Sequence, residues 1–175
     1  MTELEKMLSE QYYFATDKQL SQMRMQAKQR CFEFNQLCPS KIKQKKSLLA
    51  TLLPNVKSAW IEHGFQCDYG VHIHAEHGLF LNHNVIILDG AQVTFGKNVL
   101  VGPNTVIAAT SHHMDAVDRQ RGLCRSKAIH IGDAVWLGAN VTVLPGVTIG
   151  ANSVVGASVV VSSSLPANTV LQQSN

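Results

Sequence analysis

Ile131-Gly-Asp-Ala-Val-Trp-Leu-Gly-Ala-Asn-Val-Thr-Val-Leu-Pro-Gly-Val-Thr-Ile-Gly-Ala-Asn-Ser-Val-Val-Gly-Ala-Ser-Val-Val-Val161 is the stretch on which the fold assignment turns. Aliphatic residues stand at 131, 137, 143, 149, 155 and 161, six apart without a slip. That period is neither the 3.6-residue turn of a helix nor the plain alternation of a strand. It marks an internal structural repeat. In a β-solenoid each hexad supplies one short strand and one corner. The repeated aliphatic side chain points inward and stacks on its counterpart one coil away. Upstream, Ile61, Cys67, Ile73, Leu79 and Val85 keep the same step, and Phe95, Val101 and Ile107 resume it. With three hexads to a triangular coil, about fourteen hexads predict roughly four to five coils. Gly follows the apolar position at 96, 102, 132, 138, 150 and 156. These glycines are assigned to corners that need open backbone angles. The expected fold class is an all-β solenoid.

Outside the hexads the chain changes character. Residues 1–57 read as a helical segment. Thr16-Asp17-Lys18-Gln19 fits a capping box, followed by Leu20, Met23, Ala27, Cys31 and Phe34 on one helix face. Asn35 to Pro39 breaks that helix. Ser40 is the expected cap of a second, which carries Leu48, Leu49, Leu52 and Leu53 and stops at Pro54. The solenoid domain is drawn over 58–171, with one excursion at 108–128 that holds no hexad. Loops that leave a rigid scaffold often carry function, and this one contains His112, His113, Asp115 and Asp118.

Composition narrows the classes. The chain has 175 residues, 45% hydrophobic and 15% charged, which suits one domain with an appendage. No apolar run reaches the length of a membrane span. The polar, acidic start lacks the pattern of a secretory signal, so a cytoplasmic location is expected. Residues 1–57 hold ten Lys/Arg against five Asp/Glu (+5), and the remainder five against seven (−2). The only basic cluster, Lys41, Lys43, Lys45 and Lys46, lies in a helical context without aromatic platforms, so nucleic-acid binding is not expected. Cys31, Cys38, Cys67 and Cys124 form no CxxC, which argues against a disulfide framework. His72, His74, His77 and His83 do not make a ligand set, because 72 and 74 flank an inward Ile73. No metal is expected.

Several segments together resemble the hexapeptide-repeat acyltransferases, in particular the maltose and galactoside O-acetyltransferase group. They are Phe65-Gln-Cys-Asp-Tyr-Gly70, Asn82-His-Asn84 with Ile87-Leu-Asp89, Ser111-His-His-Met-Asp115, and Val135-Trp-Leu-Gly138 running into Leu144-Pro-Gly-Val-Thr-Ile-Gly150. The N-terminal Tyr13, Asp17 and Phe34-Asn35 also fit, so the likeness spans roughly residues 10–171. The resemblance implies a left-handed parallel β-helix. It also implies acetyl-CoA as co-substrate, a sugar hydroxyl as acceptor, and a homotrimer with sites between subunits.

By position, His112 matches the family's catalytic histidine. An imidazole with a pKa of about 6.5 can take the hydroxyl proton as the oxygen attacks a thioester. Asn82 matches the positioning asparagine, and the Ala139 N–H matches the oxyanion donor. Asn82, Trp136, Ala139, Ala157, Ser162 and Ser163 match positions along the CoA groove. Asp17, Asp68, Phe80 and Asp89 match the acceptor side. Residues 128–175 contain no Lys or Arg. The phosphates of CoA are therefore left to Lys97, Arg125 or Lys127, or to backbone N–H groups and Ser hydroxyls, and weak CoA binding is expected. Two alternatives stay open: a xenobiotic or amine acceptor, and a non-catalytic trimeric binding protein.

Overall fold

The computed structural model describes residues 1–173. Four elements come first: α1 (Glu3–Leu8), β1 (Tyr12–Phe14), α2 (Lys18–Gln36) and α3 (Ile42–Leu52). Eight short strands follow: β2 (Ala59–Ile61), β3 (Gln66–Cys67), β4 (Ile73–Ala75), β5 (Leu79–Leu81), β6 (Ile86–Leu88), β7 (Val93–Phe95), β8 (Leu100–Val101) and β9 (Val106–Ala108). The excursion holds β10 (Thr110–His112), α4 (Ala116–Gln120) and β11 (Leu123–Ser126). The chain then resumes with β12 (Ile129–Ile131), β13 (Trp136–Leu137), β14 (Thr142–Val143), β15 (Thr148–Ile149), β16 (Val154–Val155), β17 (Val160–Val161) and β18 (Val170–Leu171).

The strands stack as three parallel faces. The first face is β2-β5-β8-β13-β16-β18, the second β3-β6-β9-β14-β17 and the third β4-β7-β12-β15. Consecutive strands lie on different faces and every third strand pairs, which is a parallel β-solenoid. The six rungs of the first face give about six turns, more than the hexad count predicts. Val56 and Leu165 also bridge to the third face, outside the uninterrupted hexads.

Paired positions give the true register. On the first face Ile61, Leu81, Val101, Leu137, Val155 and Leu171 form one column. Cys67, Ile87, Ile107, Val143 and Val161 form the second. Ala75, Phe95, Ile131, Ile149 and Leu165 form the third. Ile73, Leu79 and Val85 are buried too, but two residues before their column positions. The six-residue count of 61–85 thus crosses from one inward column to its neighbour. It stays apolar because side chains alternate along a strand.

The glycine assignment is corrected in its cause. None of Gly96, Gly102, Gly132, Gly138, Gly150 and Gly156 has a positive φ. The left-handed residues come two positions later, at Asn98, Asn104, Ala134, Asn140, Asn152 and Ser158. Glycine is needed for close approach: a Cβ on Gly132 would lie 2.6 Å from the Ala151 nitrogen of the next coil.

The N-terminal segment is not purely helical. β1 pairs antiparallel with β11, which pairs antiparallel with β10, so residues 12–14 join the excursion in one three-stranded sheet. Met7, Tyr13, Leu20, Tyr69 and Cys124 bury themselves there as a second small core. α2 places Ala27, Cys31 and Phe34 in the main core with Phe65, Ile73 and Leu79 of the first turns. Its N-cap is Asp17, whose carboxylate accepts from the Leu20 N–H at 3.1 Å, rather than Thr16. α3 has no side-chain cap, and the Ser40 hydroxyl lies 3.2 Å from the Cys38 thiol instead. No helix among the described residues is long and apolar enough to cross a membrane.

Candidate active site

The predicted residues divide between two corners of the solenoid. Asn82, Ala139 and Ala157 sit where the first face turns into the second, in different coils. Phe80 and Trp136 precede them on the outer side of the first face, and Trp136 is 53% exposed. In register, Trp60, Phe80, Leu100, Trp136, Val154 and Val170 form an outward apolar column running the length of that face.

At this corner the Asn82 Oδ1 accepts from the His83 N–H at 2.8 Å, leaving the Asn82 NH₂ group without a partner among the described residues. The Ala139 N–H also has none among them. A Cβ on Gly102, one coil before, would come within 2.7 Å of the Ala139 nitrogen. Gly102 therefore lets the next coil pass this close, as Gly132, Gly138 and Gly150 do at their own corners.

The second-to-third corner carries the rest. His112 ends β10 and is exposed. Its Nδ1 lies 3.4 Å from the buried Cys124 thiol, and its Nε2 has no partner among the described residues. Burial pushes the Cys124 thiol above its usual pKa. His113 is structural: its Nδ1 accepts from the Asp115 N–H at 3.1 Å, and its ring rests against Tyr12.

Asp68 is half-buried at the corner of the first turn, and its carboxylate accepts no hydrogen bond among the described residues. Desolvation raises its pKa, opposed by Arg24 and Lys28 of α2. Arg24 is itself held by the Tyr69 hydroxyl at 2.7 Å and by the Ala15 carbonyl. Ser162 and Ser163 lie exposed at the same corner two coils beyond the excursion.

Asp89 corrects an expectation. It is fully buried, and one carboxylate oxygen accepts from the Asp68 and Tyr69 N–H groups at 3.1 and 2.8 Å. The other accepts from the His72 N–H at 3.4 Å. Asp89 therefore ties down the corner that presents Asp68 and does not face an acceptor. Asp17 is occupied as the α2 cap. Of the candidate phosphate partners, Arg125 stacks over Tyr12 and Lys127 packs against Gly146, both near the His112 side. Lys97 sits at the third-to-first corner, away from either cluster. Among the described residues no three His, Cys, Asp or Glu side chains gather to hold a metal.

The two clusters are separated by the width of the second face. Five to six residues at about 3.3 Å each put roughly 15–20 Å between the corners. Within one copy, His112 and the Asn82–Ala139 corner thus stand at opposite edges of the second face.

Comparison with known proteins adds the relatives. Residues 6–57 match the family described as maltose acetyltransferase hexapeptide capping motif. Residues 128–163 match the bacterial transferase hexapeptide (six repeats). A maltose O-acetyltransferase from Clostridium difficile 630 superposes with a TM-score of 0.95 at 37% identity, over 99% of this chain and 93% of that one. A galactoside acetyltransferase in complex with coenzyme A gives 0.94 at 34% identity, over 99% and 87%. The galactoside O-acetyltransferase of Escherichia coli (strain K12) is 38% identical over 115 residues, 65% of this chain and 57% of that protein. The match thus spans less than two thirds of that relative's length.

Proposed function

The chain belongs to the hexapeptide-repeat acetyltransferases of the maltose and galactoside type, and on that premise we propose that it acetylates a sugar hydroxyl. The donor is acetyl-CoA, and the site is shared between copies of a homotrimer. The observation that carries this is His112: an open imidazole, anchored on one ring nitrogen, on the excursion from an otherwise regular scaffold.

The chemistry follows from what each group can do. His112 Nε2 removes the acceptor's hydroxyl proton as the oxygen attacks the thioester carbonyl. The carbonyl oxygen gains negative charge, which the Ala139 N–H stabilises, with Asn82 positioned alongside. The intermediate collapses, the C–S bond breaks, and the leaving CoA thiolate takes that proton from His112. The transfer is direct, within a ternary complex. Asp68 offers a carboxylate to the acceptor's hydroxyls, which suits a sugar.

The separation of the two corners supports a site shared between copies. His112 of one copy meets the Asn82–Ala139 corner of a neighbour, and the outward column from Trp60 to Val170 supplies an apolar face for that contact. A large apolar face left uncovered is unfavourable in water.

The test is thiol release from acetyl-CoA against mono- and disaccharides, amines and chloramphenicol-like acceptors, with native protein and His112→Ala. Sugar-dependent release that falls about a hundredfold or more in the variant is expected. Release only with amines or xenobiotics would move the acceptor. No release and no acetyl-CoA binding would leave a non-catalytic trimer.

A further inference from the structure

Cys124 stands in the middle of a row that crosses the three-stranded sheet. On β1 its partner is Tyr13, and on β10 its partner is His112. Directly opposed residues in antiparallel strands place their Cβ atoms about 4.5–5.5 Å apart, so the side chains meet. The row runs from inside to outside: Tyr13 and Cys124 are buried, and His112 is open. The Tyr13 hydroxyl is occupied elsewhere, 3.0 Å from the Ser126 hydroxyl, which in turn lies 3.1 Å from that of Thr110. Among the described residues, Cys124 is thus the one side chain set against the inner ring nitrogen of His112, at 3.4 Å.

We infer that Cys124 is the positioning residue of the base: its sulfur accepts the Nδ1–H of His112 and so leaves the lone pair on Nε2. This deepens the acetyltransferase reading and rests on it. A neutral imidazole carries one N–H, and the partner of one nitrogen decides where that proton sits. A base acting through Nε2 needs the proton on Nδ1.

Two features exclude a nucleophilic role. The sulfur is buried behind the imidazole, out of reach of a thioester. Its burial also favours the neutral thiol over the reactive thiolate. A neutral thiol is a weak acceptor. It fixes the ring's orientation without the carboxylate's added pull toward imidazolium.

The charged and titratable groups around the pair come from several elements. Tyr13 lies on β1, Arg24 on α2, Asp68 and Tyr69 on the first turn's corner, and His113 follows on the excursion. Arg24 and Asp68 act on the thiol in opposite directions.

The test reads the tautomer directly, by ¹⁵N imidazole shifts of His112 in the native protein without acetyl-CoA. Native protein is expected to show a protonated Nδ1 and a bare Nε2. In Cys124→Ala the proton moves largely to Nε2, and Cys124→Ser retains part of the native tautomer. In the acetylation assay Cys124→Ala lowers kcat by about tenfold or more, with the KM for acetyl-CoA within about twofold. Cys124→Asp moves the acid limb of the pH profile upward, because a carboxylate favours the imidazolium.

Unchanged ¹⁵N shifts and an unchanged pH profile in a folded Cys124→Ala would overturn the inference. An acetyl adduct on the Cys124 peptide after acetyl-CoA alone would also overturn it, in favour of a covalent mechanism. The shifts need no turnover. A tautomer change in a protein that acetylates nothing would keep the Cys124 role and discard the sugar reading.

Discussion

Two corners of the same solenoid behave differently. At the first-to-second corner the inward columns are always six residues apart: 61 to 67, 81 to 87, 101 to 107, 137 to 143 and 155 to 161. At the second-to-third corner the steps are 67 to 75, 87 to 95, 107 to 131, 143 to 149 and 161 to 165. From Ala75 onward the irregular steps are all gathered at that one corner. The regular corner repeats a backbone and offers N–H groups such as that of Ala139. The irregular corner offers side chains, namely His112, Asp68 and the groups that hold them. A scaffold that repeats exposes similar backbone atoms on every coil, and the titratable candidates His112 and Asp68 stand where the repeat is interrupted.

The largest expected effect tests whether the two corners work together across copies. His112→Ala and Asn82→Ala variants, each inactive alone, are refolded together. Random mixing in a ring of three gives each site both intact residues about a quarter of the time, so about a quarter of native activity returns. No recovered activity in mixed trimers would mean that one chain supplies both halves.

Next comes a contrast between two crowded glycines. Gly102→Ala presses on the Ala139 nitrogen and is expected to lower kcat by about 10²–10³, the loss seen when an oxyanion donor is removed. Gly132→Ala crowds Ala151 at the third-to-first corner, so it lowers the melting temperature and spares kcat in the folded fraction. Equal kcat losses would erase the distinction.

Asp89→Ala probes the irregular corner's frame. It leaves three backbone N–H groups without their acceptor, and each buried orphan costs about 1–3 kcal/mol in denaturant unfolding.

Asp68→Asn is the smallest effect and has the opposite sign. Burial raises the Asp68 pKa in the folded state. The native fold therefore loses stability as pH rises through the carboxylate range, where the unfolded chain ionises first. The amide removes that loss. Melting temperature at neutral pH should rise slightly, while activity with sugars falls.

The sequence was legible where the repeat is strict. Residues 131–161 place every inward column correctly, and Leu20, Ala27, Cys31 and Phe34 are the buried face of α2 as the spacing predicts. The eight-residue steps were hidden because Ile73 and Ala75, Leu79 and Leu81, and Val85 and Ile87 are all inward pairs. A slip of two residues therefore leaves an apolar residue at each counted position. β1 was invisible for another reason. Tyr12-Tyr13-Phe14 carries no local strand pattern of useful length, and its partner lies at Leu123–Arg125. Cys124 was missed as a site residue for the same cause: its link to His112 crosses a hairpin and leaves no motif. Asp89 was misread because the motif match gives a position and not an orientation.

The pairing of β1 with β11 also sets an order of events on the ribosome. The Tyr13 hydroxyl meets its Ser126 partner across 113 residues of chain. At about 5–20 residues per second, β1 leaves the exit tunnel roughly 6–23 s before the strand it needs. Through that interval α1 and β1 have no sheet to join, while the early coils can already stack. His112 and Cys124 thus belong to the late-closing part of a molecule whose solenoid begins to form first.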